Sequence, residues 1–163
     1  KNILGDVKKG YKQFLQTLTA GRITIAALSI GIAQGAYESA LSYTNEREAF
    51  GKKINQFQAI SFKLADMATQ IEAAKLLVYN AAWLKDKGKD VIKSAAMAKL
   101  FSSEAAMKIT TDAIQIHGGY GYIREYNVER FFRDAKILEI GEGTSEIQRI
   151  IISREILKSL RNQ

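Results

Sequence analysis

The chain has 163 residues, 47% of them hydrophobic, and carries a formal net charge of +7. That length builds one compact domain with a sizeable core and is too short for two ordinary ones. Having no proline, it lacks the strongest helix breaker; having no cysteine, it excludes disulfides, thiolate-bound zinc and a catalytic thiol.

No run reaches the roughly 20 uninterrupted apolar residues of a membrane span. The opening Lys1-Asn2-Ile3-Leu4-Gly5-Asp6 has no apolar signal-peptide segment. An intracellular protein without a membrane span is expected. The first residue is Lys1 rather than Met, which reads as a piece of something longer. The basic surplus asks for an anionic partner, and nucleic acid is the obvious candidate. The lysines, however, stand mostly singly among Glu, Asp and Ala, with no long basic run and no aromatic-basic strip. This pattern fits a solvated helix surface, and the phosphates of a nucleotide cofactor would serve equally well as the anion. No nucleic-acid partner is expected.

The predicted elements are all helices. The first runs over residues 8–43, with Ile25, Leu28, Ile32, Ala36 and Ala40 recurring at spacings of three and four. Gly21, Gly31 and Gly35 lie inside it at a cost of about 1 kcal/mol each relative to Ala, which hints at close approach of a neighbouring helix or a ligand. After a break at Phe50-Gly51-Lys52-Lys53, a second helix spans 55–87, where Ile60, Leu64, Met67, Ile71, Ala74, Val78, Ala81 and Leu84 keep almost a heptad rhythm. Gly88 suits the residue after its last turn. A third helix spans 91–116 through Ala96, Leu100, Ser103, Met107, Thr110 and Ile114, rich in small residues that allow tight packing. A glycine-punctuated connection and a short segment at 127–134 follow. The last helix begins near Thr144 or Ser145 and carries Ile147, Ile150, Ile151, Leu157 and Leu160 on one side. Three long helices plus this one predict an all-α, four-helix, up-down-up-down bundle.

Chemistry is expected where helices start or stop, since loops present functional groups and helix N-termini present unpaired N–H donors. The outstanding segment is Gly141-Glu142-Gly143-Thr144-Ser145-Glu146-Ile147-Gln148. Ser145 and Gln148 stand in capping-box relation, which makes a well-capped helix start the plain reading. That reading leaves Glu142 unexplained, because two flanking glycines open its carboxylate to approach from both sides. The single histidine, His117, sits at a helix end, where a cap or interface role is commoner than catalysis. Without a second histidine no metal site is expected. No Gly-rich strand-to-helix phosphate loop is present either.

Five segments combine into a resemblance. They are Ala20-Gly21-Arg22, Glu46-Arg47-Glu48-Ala49-Phe50-Gly51, Gln56-Phe57-Gln58-Ala59-Ile60, Gln115-Ile116-His117-Gly118-Gly119-Tyr120-Gly121, and Glu142 to Arg149 preceded by Arg133-Asp134-Ala135-Lys136. In order and spacing they resemble the acyl-CoA dehydrogenases, closest to the short-chain, butyryl-CoA-type members, over residues 1–160. The resemblance implies the C-terminal helical domain of a longer FAD-dependent oxidoreductase of fatty acid β-oxidation, with the N-terminal helical and middle β domains lying outside residues 1–163. It implies that Glu142 is the general base taking the α-proton of an acyl-CoA while a hydride leaves Cβ for the flavin. Arg22 and Gly143 then belong to the substrate site and Arg47 to the flavin pyrophosphate, where a guanidinium offers bidentate donors. Thr144, Ser145 and Glu146 are expected to contact the flavin of their own subunit. Gln58, Gln115, Ile116, His117, Gly118 and Gly119 are expected to contact that of a neighbour, which implies a homotetramer built as a dimer of dimers. The implied electron acceptor is an electron-transfer flavoprotein, and the implied compartment is the cytoplasm, or the mitochondrial matrix in a eukaryote.

Two departures matter. Gly141 stands where many straight-chain members carry Tyr, which alters the pocket. Thr19 and Ala20 replace an acidic residue often found before Gly21-Arg22. Some relatives carry the base at the position of Gly21, where glycine cannot serve, and this supports Glu142. A related oxidase, reductase or non-redox enzyme, and an inactive helical oligomerisation module, remain as rival readings.

Overall fold

The computed structural model describes residues 2–160. Among them, six helices follow in order: α1 (Gly10–Glu46), α2 (Gln58–Asp86), α3 (Ile92–His117), α4 (Gly119–Tyr122), α5 (Val128–Ile140) and α6 (Ser145–Leu160). The only sheet among these residues is a small hairpin of β1 (Glu48–Ala49) and β2 (Lys52–Lys53), antiparallel with Glu48 opposite Lys53 and Ala49 opposite Lys52. Its two-residue turn, Phe50-Gly51, has φ of 50° and 78°, the left-handed pair that matches strand twist. A single 3-10 turn, Ile54–Gln56, leads into α2.

Helix α2 ends as its sequence predicts. Gly88 has φ 66°, its N–H bonds the Lys85 carbonyl, and the N–H of Lys89 reaches back to Leu84. These two bonds satisfy carbonyls that the helix end would otherwise orphan.

Two apolar clusters fix the directions of the helices. Ile23 and Ala26 of early α1 meet Val78 and Ala81 of late α2 and Ala95 and Ala98 of early α3. At the other end Ala36 and Ala40 meet Met67 and Ile71 of α2 and Ile109, Ala113 and Ile116 of α3. Thus α1 and α3 run parallel and α2 antiparallel to both. The fourth corner belongs to α5. Its Phe131 rests against Gly35 of α1, and the residue two past its end, Glu142, faces Gly21, so α5 runs back down α1. The bundle is up-down-up-down as expected, but its fourth helix is α5, which continues to Ile140 rather than stopping at 134.

Two expectations about faces are corrected. The residues buried along the seam of α1 are Arg22, Ile23, Ala26, Ser29, Ala33, Ala36, Ala40 and Thr44, mostly small, while Leu28 is exposed. Small side chains let α1 and α3 approach closely, so the seam selects Ala and Ser over the larger Leu beside them. Helix α6 does not bury its apolar side; Ile147, Ile150, Leu157 and Leu160 are exposed, because α5 has taken the place beside α1 and α3. Helix α1 is long and apolar enough by composition to cross a bilayer; in this fold its seam packs against α2, α3 and α5.

Candidate functional site

The chain between α5 and α6 makes a tight left-handed step. Gly141 is extended, and its N–H closes on the Ile137 carbonyl at 2.7 Å. Glu142 and Gly143 then have φ of 54° and 95°. A left-handed conformation costs a side-chain-bearing residue on the order of 1 kcal/mol, so the fold holds Glu142 there against its preference. The consequence is positional. Glu142 is exposed, and its Oε2 lies 2.6 Å from where a Cβ on Gly21 would be. The glycine expected to mark a close approach therefore marks this carboxylate, and a side chain at position 21 would compete for the same space. Gly35 likewise marks the Phe131 ring, at 3.0 Å, whereas Gly31 faces open space.

Arg22, one residue along α1, is 7% exposed, with Nη1 donating to Thr19 Oγ1 at 3.4 Å and Nε buried without a partner. Burial pushes its pKa down, and the charge of Glu142 opposes that shift. Thr19 is thus a neutral acceptor for the guanidinium. Glu142, Gly143 and Arg22 share a pocket of about 410 Å³ whose wall includes Leu15, Leu18, Ile92, Ile147 and Ile151. It is a largely apolar slot, with Glu142 and Arg22 on its wall and a second charged pair of residues, Arg154 and Glu155 of α6, also lining it.

The first turn of α6 is built differently from the expected capping box. Thr144 is the cap, its Oγ1 accepting from the Ile147 N–H at 3.4 Å. Gln148 turns back instead, Nε2 donating to the carbonyls of Gly143 at 2.8 Å and Glu142 at 3.3 Å. Ser145 is buried with its Oγ unpartnered, and Glu146 is exposed.

A second group of predicted residues gathers at the far end of the bundle, roughly 30 Å along α1 at 1.5 Å per residue. Arg47, Ile116, His117, Gly118 and Gly119 line a cleft of about 480 Å³ together with Tyr43 and Tyr120. His117 stacks on Tyr43 with ring centroids 4.2 Å apart, and its Nδ1–H donates to the Ala113 carbonyl at 2.8 Å. Burial lowers its pKa, with that carbonyl bond opposing, so the ring is held neutral. The guanidinium of Arg47 lies 5.6 Å over the Tyr120 ring. A Cβ on Gly118 or Gly119 would meet nothing within 4 Å, which leaves backbone open to a ligand. Gln58 and Gln115 are exposed and stand outside the lining.

A family model for the acyl-CoA dehydrogenase C-terminal domain matches residues 8–157. This chain belongs to the acyl-CoA dehydrogenase family. It is 60% identical over 157 residues to a probable acyl-CoA dehydrogenase of Bacillus subtilis, covering 96% of this chain and 41% of that protein. It is 54% identical over 158 residues to a subunit of the caffeyl-CoA reductase-Etf complex of Acetobacterium woodii, covering 97% of this chain and 42% of that one. Among solved structures, butyryl-CoA dehydrogenase from Megasphaera elsdenii superimposes with a TM-score of 0.94 at 51% identity, over 96% of this chain and 41% of that structure. The chain therefore spans about two fifths of the length of these relatives.

Within this acyl-CoA dehydrogenase domain the sequence reading missed one residue beside the glutamate. Lys99 is fully buried on α3, and its Nζ donates to the Gly143 carbonyl at 2.8 Å. Nothing in its local pattern, Ala98-Lys99-Leu100, marks it. A lysine on the enclosed face of an otherwise Ala- and Ser-rich helix is the signal that was available, since lysine is almost never fully buried without a partner.

Proposed function

We propose that this chain is the C-terminal helical domain of a longer FAD-dependent acyl-CoA dehydrogenase, and that Glu142 removes the α-proton of an acyl-CoA thioester to yield the 2-enoyl-CoA. The observation that carries this reading is the exposed Glu142 carboxylate, held by a left-handed backbone over a glycine at the side of an apolar slot. A carboxylate acts as general base when it reaches the proton in a water-poor pocket, and the slot offers an acyl chain the apolar wall it needs. Arg22 supplies a fixed positive charge beside the position where the thioester enolate develops charge.

The far cleft fits the adenosine-diphosphate end of a flavin. Arg47 offers a permanent cation for phosphate, Tyr43 and Tyr120 offer aromatic faces, and Gly118-Gly119 offers uncovered backbone. When bound, the flavin accepts the hydride from Cβ. The base and the cleft lie too far apart on one chain to hold the same flavin end to end. Glu142 with Thr144, Ser145 and Glu146 then serves one flavin, while Arg47, Gln58 and the segment from Gln115 to Gly119 serve that of a neighbouring subunit, in a homotetramer. Exposed Leu76, Tyr79 and Trp83 on α2 give such an assembly apolar surface to cover. The electron acceptor is an electron-transfer flavoprotein, and the compartment is the cytoplasm, or the mitochondrial matrix in a eukaryote.

The test is anaerobic titration of the full-length protein with acyl-CoAs of several lengths, following flavin absorbance, for wild type and Glu142→Gln. Wild type bleaches with one acyl class; the variant binds but bleaches at least about 10²-fold more slowly. Equal bleaching, or purification without flavin, would overturn the reading. The likeness to the caffeyl-CoA reductase subunit favours a second direction of use, in which Glu142 returns a proton to Cα of a 2-enoyl-CoA. Turnover of 2-enoyl-CoA with a reduced electron donor, without acyl-CoA oxidation, selects it.

A further inference from the structure

The geometry points to Lys99 as a positioning residue for Glu142: with Gln148 it clamps the Gly143 carbonyl and so fixes the left-handed turn that aims the carboxylate. This inference rests on the assignment of Glu142 as the base.

Two donors from different helices converge on one oxygen. Lys99 Nζ from α3 and Gln148 Nε2 from α6 each stand 2.8 Å from the Gly143 carbonyl, and both residues are 0% exposed. Gln148 Nε2 also reaches the Glu142 carbonyl at 3.3 Å. The peptide between Glu142 and Gly143 and the one after it are therefore both held, on either side of the φ 95° at Gly143. A left-handed glutamate next to a glycine has no local reason to keep one geometry, since glycine populates many. The restraint comes from α3, the helix enclosed by α1, α2, α5 and α6.

A buried ammonium is a costly way to hold a loop. Burial lowers the pKa of Lys99, and the carboxylates of Glu139, Glu104 and Glu146 oppose that shift, while Arg22 adds to it. An apolar side chain would fill the same space more cheaply but would leave the Gly143 carbonyl to Gln148 alone. What the lysine adds is a charge-assisted bond to the backbone that carries the carboxylate. A base must be held to a fraction of an ångström, and misplacement by about 1 Å costs on the order of 10²-fold in rate.

The experiment uses the full-length flavoprotein and measures flavin reduction per bound flavin in stopped flow, with butyryl-, hexanoyl- or octanoyl-CoA, whichever bleaches wild type fastest. Lys99→Met is expected to slow reduction by about 10- to 10²-fold at unchanged acyl-CoA affinity. A role in stability alone would lower the melting temperature or flavin content and leave the rate per bound flavin at the wild-type value, which overturns the inference. If Lys99→Met is recovered without flavin, Gln148→Met decides, because it removes the second donor from the same oxygen and keeps the lysine. Slower reduction at unchanged affinity supports the clamp, and a wild-type rate refutes it. Glu142→Gln run in parallel separates the two failures. A silent Glu142→Gln beside a fast Lys99→Met overturns the positioning alone, whereas a fast Glu142→Gln overturns the base assignment beneath it.

Discussion

A methyl group at position 21 tests the placement of Glu142 without touching Glu142. In Gly21→Ala the new Cβ would stand 2.6 Å from Oε2 and 3.0 Å from Cδ of Glu142. Ordinary contact needs about 3.4 Å or more, so the carboxylate must retreat by roughly 0.8 Å. The fold tolerates this, because the crowded atoms are the far end of a flexible, exposed side chain. Alanine in a helix is favoured over glycine by about 1 kcal/mol, so the urea midpoint should be unchanged or raised. The chemistry should not tolerate it. A shift approaching 1 Å at a base is worth up to about 10²-fold in proton abstraction, or roughly 2.7 kcal/mol of barrier. Full-length Gly21→Ala is therefore expected to be as stable as wild type or more so, and to reduce its flavin with acyl-CoA between about 10- and 10²-fold more slowly. A wild-type rate of flavin reduction would refute the placement of the working carboxylate over Gly21. A large loss of stability would refute the claim that only a side-chain end has to move.

The other glycines of α1 separate by what faces them. Gly31→Ala meets open space and should raise stability by up to about 1 kcal/mol, while Gly35→Ala presses on the Phe131 ring at 3.0 Å and should lower it by about 1 kcal/mol in urea unfolding. Equal effects would mean that Phe131 does not pack against α1. His117 predicts a pH dependence. Its folded pKa lies below the ordinary 6.5, so the unfolded chain binds more protons below that value, and stability is full above pH 6.5 and falls as pH drops beneath it. The stability difference between wild type and His117→Phe, which keeps the ring against Tyr43 without a proton to gain, should be flat above 6.5 and shift against wild type below it. A difference independent of pH would show that the imidazole is not held neutral.

Much of the architecture follows from short-range pattern. Absence of proline, Ala-rich heptad-like spacing in α2 and Gly88 after its last turn dictate long helices and where one of them stops, because helix propensity and capping act within a few residues. The odd placing of Glu142 between two glycines is likewise visible in the chain itself, as is the clustering of His117 with Gly118 and Gly119. Tertiary structure decided what those rules cannot reach. Whether Leu28 or Ala26 enters the seam of α1 depends on how closely α3 approaches, and small residues win only when two helix backbones meet. Whether α5 or α6 completes the bundle depends on which one lies beside both α1 and α3. Gly21 and Glu142, far apart in sequence, occupy one space only because α5 runs back down α1. Lys99 was invisible for the same reason. Its partner is a backbone carbonyl 44 residues away, and a hydrogen bond to a backbone atom leaves no trace in the identity of the residue that accepts it.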